Sequence, residues 1–222
     1  MKRYAIIVAG GQGLRLGAEI PKQFLPLKGK PMLFYTLEKF EGIADEIILV
    51  LPASHFDYWN ELCRLADFET EVKLVEGGEN RTSSVLNGLS ALQGNGIVAI
   101  HDAVRPLVSK SLIMKLYEEA ERNGNAVPVT QIKESMRFRD SQESHSVERS
   151  KYVAVQTPQC FDFQKLVNAY QQHTNETFTD DASVWEFAGG TVHLVDGETT
   201  NLKITYKEDL AYAETLMNAG IL

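Results

Sequence analysis

The sequence predicts an α/β domain in which a mostly parallel sheet is covered by helices on both faces. Short β-rich apolar runs alternate with amphipathic segments along most of the chain, the signature of such a layered arrangement. The first run, 4–8, passes straight into a turn crowded with glycines, as a strand leading into a helix does. One polar stretch, 131–151, breaks the rhythm and reads as a projecting β-hairpin.

The strand candidates are 4–8, 46–51, 72–76, 97–100, 126–130, 152–156 and 191–195. Each is a short run of mainly β-branched, aliphatic or aromatic residues. Between them the amphipathic segments 31–40, 56–65, 81–92, 109–123, 163–173, 180–187 and 207–218 predict helices. In 131–151 the sequences M-R-F-R and S-V-E-R alternate and flank the turn-prone D-S-Q-E-S-H. A long two-stranded arm is marginal alone in water, so it needs a partner surface; a mobile loop is the alternative.

A length of 222 residues with 44% apolar content supports one full core, so 1–222 is expected to form a single domain with the arm inserted in it. No stretch approaches the roughly 20 apolar residues of a membrane span. The chain opens on a strand, and no signal peptide is expected. Cys63 and Cys160 lie far apart without a C-x-x-C pattern, which predicts reduced thiols and a cytoplasmic protein. A net charge of −8 argues against a nucleic-acid partner, though not against a nucleotide. The five histidines show no metal-ligand spacing.

Residues 9–22 read A-G-G-Q-G-L-R-L-G-A-E-I-P-K. Ligands of open α/β sheets sit beyond the carboxyl ends of the strands, where this turn falls. Gly10, Gly11 and Gly13 let the backbone present its N–H groups closely to an anion. Arg15 and Lys22 add two cations, so the segment predicts a triphosphate cradle. The dinucleotide fingerprint fails on spacing: from Gly11 it finds Gly13 but then Leu16. The Gly-Lys-Ser/Thr ending of the P-loop is absent.

These residues carry a resemblance. G-G-x-G-x-R-x-G followed by P-K-Q-F resembles the N-terminal signature of sugar- and polyol-phosphate nucleotidyltransferases. The P-K-Q-F-L-P-L form resembles the 2-C-methyl-D-erythritol 4-phosphate cytidylyltransferase family, along nearly the whole chain. The resemblance implies a Rossmann-like three-layer domain with a mostly parallel mixed sheet and a hairpin arm that clasps a second subunit. It implies that Arg15 and Lys22 stabilise charge on the α-phosphate of CTP, with Ala9, Gly10, Gly11 and Gly13 holding the nucleotide.

Further motifs follow later strands. G-G-E-N-R-T-S-S-V at 77–85 opens a helix, and Asn80, Thr82 or Ser83 is its candidate N-cap. By resemblance Gly77, Arg81 and Ser84 form a cytosine pocket. H-D-A-V-R-P at 101–106 puts Asp102 past a buried strand, placed for ribose, a metal or a second substrate. Arg105 supplies a permanently charged fork for phosphate or carboxylate, and an Asp102–Arg105 ion pair fixing the turn is the plainer reading. His101 is expected to be a structural hydrogen-bonder. The resemblance assigns Asp102 and Ala103 to the nucleotide side, and Asp102, Arg105, Ser135, Arg149, Thr179 and Lys203 to the polyol phosphate. Arg149 would reach across the dimer. Ser135 stands in E-S-M-R where many members have D-T-M-K; T-P-Q at 157–159 is a rigid turn; N-L-K-I-T matches the family's N-x-K-[VI]-T, whose lysine, here Lys203, positions the attacking phosphate.

Charge dictates the expected chemistry. Attack of a phosphate monoester on the α-phosphorus of CTP brings two anions together, and neutralisation and positioning matter more than proton transfer. Arg15, Lys22, Arg105, Arg149 and Lys203 meet that need. The expected metal is Mg²⁺, with Asp102 as its candidate protein ligand. Three rival readings are a ribitol 5-phosphate cytidylyltransferase, a non-catalytic nucleotide-binding protein and an NAD-dependent oxidoreductase. The second is expected to have lost Lys22 or Lys203; the third is weakened by the glycine spacing.

Overall fold

The computed structural model describes residues 1–10, 20–172 and 178–220. Strand β1 (Lys2–Val8) is the buried middle of the sheet, with Tyr4 to Ile7 wholly inaccessible. A 3-10 turn (Lys22–Phe24) and a small ribbon, β2 (Pro26–Leu27) with β3 (Lys30–Pro31), lead to α1 (Met32–Phe40). Then follow β4 (Glu46–Leu51), α2 (Phe56–Leu65), β5 (Lys73–Glu76), α3 (Arg81–Ser90) and β6 (Gly96–Asp102). Strand β1 pairs in parallel with β4 and β6, and β4 with β5.

The second half turns the sheet mixed. After α4 (Lys110–Asn123) come β7 (Asn125–Gln131), the arm strands β8 (Arg137–Arg139) and β9 (Ser144–Ser146), and β10 (Val153–Val155). Strand β11 (Gln159–Asp162) lies antiparallel between β6 and β7. Helices α5 (Phe163–Gln172) and α6 (Asp181–Phe187), strand β12 (Leu194–Asp196) and helix α7 (Lys207–Asn218) complete the order. Strand β12 runs parallel to β7, and β10 antiparallel to it.

The pleat divides the core into two layers. Ala5, Ile7, Leu49 and Ala99 face α1 and α4, whereas Tyr4, Ile6, Val50 and Ile100 face α3 and α5. Both faces are therefore apolar, which is why the strands read as continuous runs. Helix α4 is bounded by Ser109, whose side chain accepts from the Leu112 N–H, and by Gly124 in the left-handed region at φ 83°.

The three-layer α/β prediction holds; the sequence did not suggest the small ribbon of β2 and β3, nor one strand of the main sheet. The sequence places Gln159 at the end of the 157–159 turn and assigns nothing to 160–162; Gln159–Asp162 is β11, in the interior of the sheet. The hairpin lies within the predicted stretch, but its second strand starts at Ser144 because Asp140 Oδ1 accepts from the N–H groups of Gln142 and Glu143, tightening the turn. Val147–Glu148 are outside the strand, and Arg149 begins a 3-10 turn (Arg149–Lys151). Among the described residues, no helix is long and apolar enough to cross a membrane.

Candidate active site

The carboxyl ends of β1, β4, β5 and β6 open onto a cavity of about 450 Å³. Its floor is fixed by backbone bonds from one strand end to the next. Ala9 N–H donates to Val50 O at 2.9 Å, Gly77 N–H to Leu51 O at 2.8 Å, and Ala103 N–H to Val8 O at 3.1 Å. Gln23, buried beside Lys22, donates from Nε2 to Ala9 O at 2.8 Å and ties the P-K-Q segment to the end of β1. Among the described residues, a Cβ on Gly10 would meet nothing within 4 Å.

The 77–85 segment closes the opposite wall. Asn80 is the N-cap of α3, accepting from Ser83 N–H at 2.9 Å in a capping box. Ser84 Oγ donates to Asn80 O at 2.8 Å and accepts from Gly78 N–H at 3.1 Å, so this hydroxyl shapes the loop. A Cβ on Gly78 would sit 2.2 Å from Ser83 Oγ and 2.9 Å from its carbonyl carbon. The turn can pass this close to the helix only with glycine there.

Asp102 is the electrostatic centre. Its Oδ2 accepts from Arg105 Nε at 3.0 Å and meets Lys203 Nζ at 3.2 Å. Burial opposes its ionisation, but Lys203, Arg105 and Arg81 override that and hold its carboxyl well below the usual carboxylate range. Arg105 is held in turn by donating from Nη1 to Asn201 O at 2.9 Å. Behind Asp102 runs a chain of compatible donors. Its N–H donates to Thr157 Oγ1 at 3.0 Å, the hydroxyl faces His101 Nδ1 at 3.0 Å, and His101 Nε2 faces Arg105 O at 3.2 Å. That order requires a neutral ring protonated at Nε2, and burial lowers the His101 pKa to about 4.

A second cavity of about 300 Å³ adjoins the first on the β10–β11 side, with Arg105, Thr157, Gln159 and Thr179 in its wall. Arg81, Asp102 and Lys203 line both cavities. Arg81 is tethered across the chain: its Nη1 and Nη2 donate to the two oxygens of Asp181 at 3.1 and 2.5 Å. Asp181 is fully buried and also accepts from Tyr170 Oη at 2.6 Å. Burial works against the charge of Arg81, and Asp181 more than offsets it.

Two adjoining cavities, one at a glycine turn and one beside it, share two cations and a carboxylate. The profile of the 2-C-methyl-D-erythritol 4-phosphate cytidylyltransferase family matches residues 4–219 of this chain. The chain belongs to this family. A family protein from Porphyromonas gingivalis is 47% identical over 219 residues, covering 98% of this chain and 99% of the relative. One from Phocaeicola vulgatus is also 47% identical, covering 98% and 100%. The crystal structure of the Thermus thermophilus family protein superposes with a TM-score of 0.83 at 32% identity, covering 98% of this chain and 100% of that one.

The residues that the family resemblance singled out divide between these features. Ala9, Gly10, Lys22, Gly77, Arg81, Ser84, Asp102, Ala103 and Lys203 line the first cavity. Arg105 and Thr179 line the second. Ser135 and Arg149 sit on the exposed arm and line neither; Arg149 Nη1 donates to Lys133 O. Gly11, Gly13 and Arg15 lie outside the described residues. Sequence reasoning met Asp181, Gln159 and Asn201 inside motifs but gave them no role of their own. Gln159 Oε1 accepts from the N–H groups of Asp181 and Ala182 at 3.1 and 2.8 Å, and Asn201 Nδ2 donates to Thr157 O at 2.8 Å. A polar residue whose partners lie far along the chain gives no local signal.

Proposed function

We propose that this family member transfers the cytidylyl group of CTP to 2-C-methyl-D-erythritol 4-phosphate, a step of the non-mevalonate isoprenoid pathway. The products are 4-diphosphocytidyl-2-C-methyl-D-erythritol and pyrophosphate. The observation that carries this reading is the pair of cavities joined at Arg81, Asp102 and Lys203. CTP occupies the larger, its triphosphate toward the turn after β1, and the polyol phosphate occupies the smaller.

A phosphate oxygen of the acceptor attacks the α-phosphorus, a new P–O bond forms, and the bond to the β-phosphate oxygen breaks. The attacking phosphate is ionised at neutral pH, so no general base is needed. Lys203 and Arg105 draw that anion to the seam between the cavities, and Lys22 offsets charge gathering on the α-phosphate from the nucleotide side. Arg15 shares the latter role in this reading. Lys203 is half exposed, so its ammonium can meet a phosphate while it faces Asp102.

Mg²⁺ fits the donor set. Among the described residues no group of three or more His, Cys, Asp or Glu side chains is placed to hold a metal, and Asp102 is the carboxylate that both cavities share. One carboxylate plus substrate phosphates is the usual way this ion is bound. When bound it would neutralise phosphate oxygens and orient the triphosphate. The arm supports a homodimer: Phe138 remains 51% exposed on a two-stranded ribbon that pairs with no other strand among the described residues, and the partner's Arg149 would then join the second cavity. Two unpaired cysteines are in keeping with a cytoplasmic enzyme.

Pyrophosphate release, assayed with each of the four nucleoside triphosphates and with methylerythritol phosphate or ribitol 5-phosphate, tests the proposal. Turnover is expected with CTP and methylerythritol phosphate and is expected to be lost on chelation with EDTA. Preference for ribitol 5-phosphate, or no turnover with any pair, would overturn it.

A further inference from the structure

The wall between the two cavities is held by an ion pair that no local motif announces. Arg81 begins α3 and Asp181 begins α6, a hundred positions later, yet their side chains meet bidentately at 3.1 and 2.5 Å. Asp181 is fully buried, whereas the Arg81 side chain keeps 25% of its surface exposed, on the cavity side. Tyr170 fixes the carboxylate, and Gln159 fixes the backbone of the turn that carries it. Tyr170 Oη donates to Oδ1 at 2.6 Å, and Gln159 Oε1 accepts from the Asp181 N–H at 3.1 Å. Gln159 Nε2 also donates to Asp180 Oδ2 at 3.0 Å, and Asp180 is the N-cap of α6. The turn containing Thr179 and Asp180, part of the second cavity, is thereby locked to the turn that walls the first.

Taking the two-substrate reading above as its basis, we infer that Asp181 is a positioning residue for the transfer reaction: through Arg81 it fixes one cationic wall shared by both substrate cavities, and so sets the affinity of each. An arginine held by two parallel bonds to a buried carboxylate keeps one orientation and presents its remaining N–H groups to the cavities. Released from Asp181, the long side chain regains its rotamers, and both walls lose a fixed charge together. Asp181 itself touches neither cavity. Among the partners of its side chain, Arg81 and Tyr170, Arg81 is the one that lines the cavities, and a substitution confined to the carboxylate therefore tests the claim.

Wild type, Asp181→Asn, Arg81→Lys and the double variant are compared by steady-state kinetics in CTP and in methylerythritol phosphate. Asp181→Asn keeps the size of the side chain and should raise KM for both substrates, lowering each kcat/KM on the order of tenfold, a usual size for directly coupled pairs. In the Arg81→Lys background the same change should have little further effect. A role confined to holding the fold would lower kcat through lost active enzyme and leave both KM values alone. That result, or effects that simply multiply in the double variant, overturns the inference. Should Asp181→Asn not fold, Tyr170→Phe removes one donor to the carboxylate and should move both KM values the same way by about two- to threefold. Unmoved values there overturn it too. A wild type inactive on this substrate pair refutes the function itself, a result distinct from any of these.

Discussion

Acidification should destabilise the protein through His101, and the size of the loss follows from the surroundings of the ring. His101 is wholly buried, between the Thr157 hydroxyl and the Arg105 carbonyl, and burial lowers its pKa from 6.5 to about 4. As pH falls, the unfolded chain takes up this proton before the folded one does. Stability is therefore fully present above about pH 6.5 and is lost progressively as pH falls toward 4. Relative to pH 7, the linkage gives a loss of about 1 kcal/mol at pH 5.5 and about 2.5 kcal/mol at pH 4.5. Urea unfolding followed by circular dichroism at those three pH values measures it. His55 is also held down by burial and adds a change of the same sign, so His101→Gln is the control. The variant should lose most of the slope. Equal losses in wild type and variant would refute the argument that the buried ring is the sensor.

Lys22→Ala should lower kcat on the order of 10²–10³-fold with the protein still folded, as removal of other fixed oxyanion donors does; unchanged turnover would remove Lys22 from the chemistry. Arg149→Ala should raise KM for the polyol phosphate more than for CTP, and equal changes in both would count against an arm that reaches the second cavity. Gly78→Ala forces a Cβ to within 2.2 Å of Ser83 Oγ. It should cost about 1–3 kcal/mol of stability and raise KM for CTP, read by thermal unfolding and kinetics; a variant matching wild type in both would show that the turn has room to move.

Much of this architecture was legible because burial on both faces writes itself into composition. The runs 4–8 and 46–51 are continuous apolar stretches, and they coincide with β1 and β4 to within two residues. Helix starts were legible where a cap is local, as at Asn80. Strand β11 was not. Gln159-Cys160-Phe161-Asp162 is too short and too mixed to show a period, and its place is set by β6 and β7, formed from residues far away. The glycine segment and Asp102 could be found because each stands at a strand end in a recognisable string, and Lys203 because N-L-K-I-T before the last helix resembles a family motif. Asp181 could not. It stands beside an N-cap aspartate, where a solvated acidic residue is the ordinary expectation, and only the approach of Arg81 explains its burial.

Strand β11 runs against its neighbours, so it contributes its first residues to the crevice where β6 and β7 contribute their last. The chain leaves β7 and re-enters through Thr157 on the same rim, free to wander in between without shifting any pairing in the interior. An excursion of almost any length can be grafted at that point. Strand β10 ties the returning chain to β7 just before Thr157, so the hydroxyl that supports Asp102 stays in place whatever the arm beyond it grips.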